Sequence, residues 1–210
     1  MSQDPTTLQI PTFRIGPKNR RIKDDLNPDQ PDGYHVMVEA GLSLLELLER
    51  YSVAIAPDET QITPENFPQA QEASVIRHFE LFDFSNRAEY GRRGVDEAFV
   101  RDKLAHFKFR PATLPELICF AGHLRETFRD RWFEAKNILA LGSVAVTTET
   151  VKKSGWFRKE VITHHYRHYP ELGCVAGRPQ DILSLSRTER DSDGNWPSET
   201  LFLAATLGGA

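Results

Sequence analysis

The stretch Asn137-Ile-Leu-Ala-Leu-Gly-Ser-Val-Ala-Val-Thr-Thr-Glu-Thr-Val151 decides the fold class. Upstream of it, apolar residues return at helical spacing. From here onward they return every second residue, the spacing of a strand whose side chains alternate between two faces. The stretch runs into Lys152-Lys153-Ser154-Gly155, a turn, and Trp156 to Tyr169 reads as a second strand. Residues 172–177 (LGCVAG) and 181–187 (DILSLSR) read as short strands, Asp191–Asn195 as a turn and 199–206 (ETLFLAAT) as a last strand. Successive strands joined by tight turns predict an antiparallel sheet of about four to five strands in the C-terminal third.

Moving upstream, residues 109–128 (FRPATLPELICFAGHLRETF) carry the strongest helix signal. Thr113 and Glu116 have capping-box spacing, Pro115 sits in the first turn, and Leu117, Phe120, Leu124 and Phe128 form an apolar face. Residues 95–107 read as a second helix with Asp96 and Glu97 in its first turn, where the helix dipole favours negative charge. Residues 41–51 (GLSLLELLERY) read as a third, with Leu44, Leu45, Leu47, Leu48 and Tyr51 on a broad apolar face. Residues 53–56 (VAIA) either extend that helix or form a short strand, and 75–84 (VIRHFELFDF) reads first as a strand and second as a helix. Residues 57–68 and 85–94 are loops by composition. Residues 1–33 hold five prolines and few large apolar groups and read as an extended arm or loop, with a short edge strand inside Ile10–Ile15. The expected architecture is one α+β domain over 34–210, with helices in the first two-thirds and the antiparallel sheet last.

A chain of 210 residues with 40% apolar side chains and 13 phenylalanines can bury a full core. Its net charge of −4 and its short basic runs do not give the positive footprint of a nucleic-acid binder. Two cysteines are too few for a disulfide framework or a four-cysteine zinc site. The N-terminus lacks a secretory h-region, and no apolar run is long enough to span a membrane, so a cytoplasmic setting is expected.

The order FRPATLPELICFAGHLRE, NILALGSVAV, a polar turn, further strands and a closing ETLFLAAT resembles short uncharacterised proteins of bacterial genomes, over about residues 109–206. The resemblance implies a small α+β domain in a bacterial cytoplasm. It brings no activity, ligand or catalytic residue, and the N-terminal half departs from it.

The chemistry-bearing residues gather in 163–174 (THHYRHYPELGC), where three of the seven histidines lie. On a strand, His164, Tyr166 and His168 share one face, and His165, Arg167 and Tyr169 share the other. Cys119 and His123 lie four apart on the capped helix and also share a face. Were that helix to pack beside the strand, Cys119, His123, His164 and His168 would form a Cys/His₃ site for zinc, serving a metal-binding protein or a metal-dependent hydrolase. Against this, Cys119 lies between Ile118 and Phe120, the setting of a core thiol, and no ligand pair matches a zinc template. A nucleophilic Cys–His pair, Cys119 with His123 or Cys174 with a strand histidine, faces the same objection for Cys119. Trp156, Arg158, Tyr166 and Arg167 mix aromatic and basic groups, as single-stranded nucleic-acid binders do, and also as ordinary cross-strand pairs do. DSDGN at 191–195 begins like a calcium loop but has Trp196 and Phe202 where glycine and glutamate are needed. Phosphate-loop and nucleophile-elbow spacings are absent, and the closing LGGA reads as a frayed terminus. The expected function is a non-catalytic protein-interaction or binding module with no cofactor. Its partner would be another protein or a second copy of itself, met through helix 41–51 and the arm.

Overall fold

In the computed structural model of the chain, the described residues are 14–15, 21–22, 33–68, 73–84, 95–127, 137–154, 159–174, 181–189, 196 and 200–207. Eleven strands and three helices lie among them. Within the arm, β1 (Arg14–Ile15) pairs antiparallel with β2 (Arg21–Ile22). The remaining elements are β3 (Tyr34–Val38), α1 (Leu44–Arg50), β4 (Ala54–Ile55), β5 (Val75–Asp83), α2 (Glu97–His106), β6 (Phe109–Pro111), α3 (Leu114–Thr127), β7 (Ile138–Leu139), β8 (Ala145–Ser154), β9 (Lys159–Cys174), β10 (Asp181–Glu189) and β11 (Leu201–Thr206).

The expected division into helices first and an antiparallel sheet last is overturned. Strands dominate, and β3 to β7 all fall in the N-terminal two-thirds. Nine strands form one mixed sheet in the order β3-β5-β11-β7-β9-β10-β4, with β6 also on β11 and β8 also on β9. Two pairings are parallel, β10 with β4 and β11 with β7, and the others are antiparallel. Strand β11 lies in the middle of this sheet, between β5 on one edge and β6 and β7 on the other. Successive side chains of a strand project to opposite faces. In β11, Leu201, Leu203 and Ala205 enter one core and Phe202 and Ala204 the other. A strand buried on both faces reads as an unbroken apolar run, which is why LFLAA has no polar alternation.

The first core lies under α1 and α3. Ser43 and Glu46 close a reciprocal capping box at the start of α1, which turns Leu44, Leu47 and Leu48 inward. α3 packs on α1, β3 and β9. The second core is aromatic: Phe82, Phe84, Tyr169, Trp196 and Phe202 meet Val100 and Leu104 of α2. Trp196 packs edge-on against Tyr169 and Phe202, and its bridge to Val95 brings the chain before α2 onto this face.

The single strand expected over 137–151 is two strands with a bend between them. At the bend, Gly142 N–H donates to the Ala112 carbonyl (2.8 Å) and Ser143 Oγ accepts from Leu114 N–H (2.9 Å). The bend therefore caps the N-terminus of α3, whose first amide groups have no partner within the helix. A Cβ at position 142 would lie 2.6 Å from the Ala112 carbonyl oxygen, so the approach requires glycine. The two strands expected over 156–169 and 172–177 are, conversely, one strand of 16 residues. No helix among the described residues is long and apolar enough to cross a membrane.

Candidate functional site

Strand β9 is longer than the strands beside it. β7 pairs with it at residues 171–172, and β10 pairs with it only as far as Tyr166. Beyond that point, among the described residues, β9 pairs with β8 alone, through seven pairs from Thr148↔His165 to Ser154↔Lys159. These two strands form a ribbon that extends past the described part of β10. Among the described residues, no strand pairs with the second edge of β8. Apolar side chains stand exposed along the two strands: Val146 at 60%, Val151 at 41% and Val161 at 61%.

The base of the ribbon is fixed by polar contacts on both faces. On one face, Arg187 stacks 3.4 Å above the Tyr166 ring centroid and reaches Glu149 Oε2 at 2.8 Å. The His164 ring stacks on the same tyrosine, with centroids 6.0 Å apart. His168 is buried, with Nε2 2.7 Å from Thr147 Oγ1. Burial, joined by the positive charge of Arg187, lowers the pKa of His168 below the usual imidazole value.

On the other face, Arg167 donates to Glu97 (2.7 Å), as do the Tyr169 hydroxyl and Arg101 Nε (2.6 Å). Arg101 also donates to the Leu141 carbonyl, tying α2 to the bend after β7. Burial raises the Glu97 pKa, but the hydrogen bonds from Tyr169 and Arg101 and the arginine charge outweigh it, and the net shift is downward. Tyr169 is pushed up to about 12 by burial and by the Glu97 carboxylate.

A second polar cluster lies at the start of α3. Buried Glu116 accepts from Arg110 through both carboxylate oxygens (2.8 and 2.5 Å), from Thr113 N–H (2.9 Å) and from Thr113 Oγ1 (3.1 Å). Arg77 Nε lies 3.4 Å away. Burial raises the Glu116 pKa, and the hydrogen bonds and charge of Arg110 reverse this to a net lowering. The capping role of Glu116 was legible in the sequence, but its partnership with Arg110 and Arg77 was not.

The residues expected to bind a metal have separate surroundings. His168 is engaged by Thr147 and His164 by Tyr166. Cys119 is a free thiol buried in the first core beside the Tyr51 hydroxyl, and burial raises its pKa. His123 packs edge-on against Tyr34, and burial lowers its pKa. Among the described residues, no group of three or more His, Cys, Asp or Glu side chains is placed to hold a metal ion. Of the expected nucleic-acid contacts, Tyr166 and Arg167 lie on opposite faces, with Tyr166 under Arg187 and Arg167 on Glu97. Trp156, Arg158, the turn at 191–195, the side chain of Cys174 and residues 208–210 lie outside the described residues.

No protein-family model, curated protein or solved structure matches this chain. The free edge of β8 was not found in the sequence, because an edge exists only once every other strand has chosen its neighbour.

Proposed function

We propose that this protein is a non-catalytic protein-interaction module whose docking element is the outer part of the β8–β9 ribbon. One observation carries the reading: among the described residues, seven pairs of β8 and β9 have no further strand beside them, and the outer edge of β8 is unpaired. A two-stranded ribbon alone is marginal in water, and it gains stability when further strands join it. An open edge presents a row of amide and carbonyl groups that an incoming strand satisfies, which is the mode of recognition by strand addition. The exposed valines of the two strands add apolar area for a partner to cover. The polar contacts at the ribbon's base act as a brace: Arg187–Glu149 on one face and Arg167–Glu97 on the other hold its direction. A cytoplasmic setting suits the buried free thiol of Cys119.

Helix 41–51 and the arm were the contacts expected from the sequence, and Leu45 on that helix is 66% exposed. A photo-crosslinking residue placed at Val151 or at Leu45 compares the two surfaces in cells. The expected result is a covalent protein adduct from position 151. Adducts from position 45 alone, or from neither, would sink the ribbon as the docking element.

A further inference from the structure

The partner of this ribbon can be narrowed from the register of β8. This inference rests on the ribbon being the docking element. We propose that the partner is a second copy of this chain, its β8 laid antiparallel along the free edge of β8 with Val151 facing Val151 of the second copy.

Two observations carry this. The first is the edge itself. Among the described residues, β8 has β9 on one side and no strand on the other, from Ala145 to Ser154. A twofold axis at Val151 pairs 148–154 with 148–154 along that edge.

The second is charge. In an antiparallel pair, residues that send their N–H and C=O toward the partner face residues that do the same. When identical strands pair, the axis must then fall on a residue. An axis at Glu149 sets glutamate against glutamate, and axes at Lys152 or Lys153 set lysine against lysine. Like charges directly opposite are destabilising. Axes at Thr148 and Thr150 leave every charge opposite a neutral residue. Only the axis at Val151 sets Glu149 opposite Lys153, and symmetry does so twice. Glu149 is half exposed, with Oε2 on Arg187. The product is a four-stranded sheet, β9-β8-β8-β9, in which each β8 gains a second neighbour. Such an interface is self-complementary and closes at two copies.

Light scattering and sedimentation equilibrium over a concentration series read the result directly. The expected mass rises toward twice the 23.9 kDa of the chain. Glu149→Lys and Lys153→Glu each place like charges opposite one another at two sites and should weaken dimerisation about tenfold or more. The double variant, with the charges exchanged, should restore it, and matched circular dichroism establishes that all three variants are folded. A wild-type chain that stays monomeric at about 100 µM overturns the proposal, since a weaker contact would be far below useful affinity. A dimer indifferent to both single changes, or not regained in the exchange, also overturns it. A monomeric chain whose position 151 crosslinks to a different protein removes the second copy and keeps the module reading. A monomeric chain with no adduct at all removes both.

Discussion

Glu116 joins three levels of this structure. In sequence it stands three residues after the cap position Thr113, in local structure it closes the start of α3, and in the fold it holds Arg110 of β6 with Arg77 of β5 beside it. Removing its charge takes away the buried carboxylate that the part-buried Arg110 and Arg77 face. Glu116→Gln is expected to lower unfolding stability by about 3 kcal/mol, as loss of one partner of a buried ion pair does. Urea unfolding measures it, and an effect below about 1 kcal/mol would show that the guanidinium groups find water instead. Gly142 acts by what it lacks. Gly142→Ala forces a methyl group to 2.6 Å from one backbone carbonyl and 2.7 Å from the next, and backbone cannot swing aside as a side chain does. The expected cost is about 1–3 kcal/mol in the same measurement. The glycine and serine of A-L-G-S at 140–143 were visible as letters within a strand pattern. Their work as a cap for α3 involves residues about thirty positions away, so no local pattern reveals it.

At the scale of elements, β9 shows why strand breaks are hard to place from sequence. Pro170 marks a plausible end, because proline cannot donate to a ladder. The strand nevertheless runs through it from Lys159 to Cys174. A strand residue sends its N–H and C=O to the same side. The Pro170 carbonyl accepts from Ala140 N–H, so its missing donor faces the junction where β7 gives way to β8, and the β10 ladder is untouched. Helix boundaries were more legible, since Ser43, Asp96 and Glu116 make local bonds that cap their own helices. The ribbon carries its own expected behaviour. At dilution that favours the single chain, amides of 159–165 should exchange with solvent faster than those of β11 or α3, because the outer ribbon buries little apolar surface. Hydrogen exchange read by mass spectrometry tests this. Protection equal to β11 at every concentration would mean that the ribbon is stable without a neighbour.

Across the whole molecule, the titrating groups set how stability responds to acid. His123 and His168 have lowered pKa values, each with burial as the first cause. Their neutral forms belong to the fold, so their contribution is complete above the ordinary value of 6.5 and is lost as pH falls through the folded values. Glu97 and Glu116 are also lowered, and their contribution is complete above 4.5 and lost as pH falls further. Glu171, raised by burial, acts in the opposite sense between 4.5 and its folded value. The urea midpoint should therefore fall between about pH 7.5 and about pH 5.5, and His168→Asn should reduce that fall. An equal fall in the variant would assign the loss to other groups.

Three features are legible in the order of the amino acids: a large core, helices over most of 44–50, 97–106 and 114–127, and strands in the C-terminal third. These follow from caps and periodicities that act within a few residues. Long-range packing is what merges strands from both halves into one mixed sheet with a core on each face, gives the histidines of 164–168 separate neighbours, and leaves β8 with an edge that no strand among the described residues takes up. Strand pairing joins residues far apart along the chain through backbone groups common to every residue type, so the side chains record which segments are strands and leave their neighbours unstated.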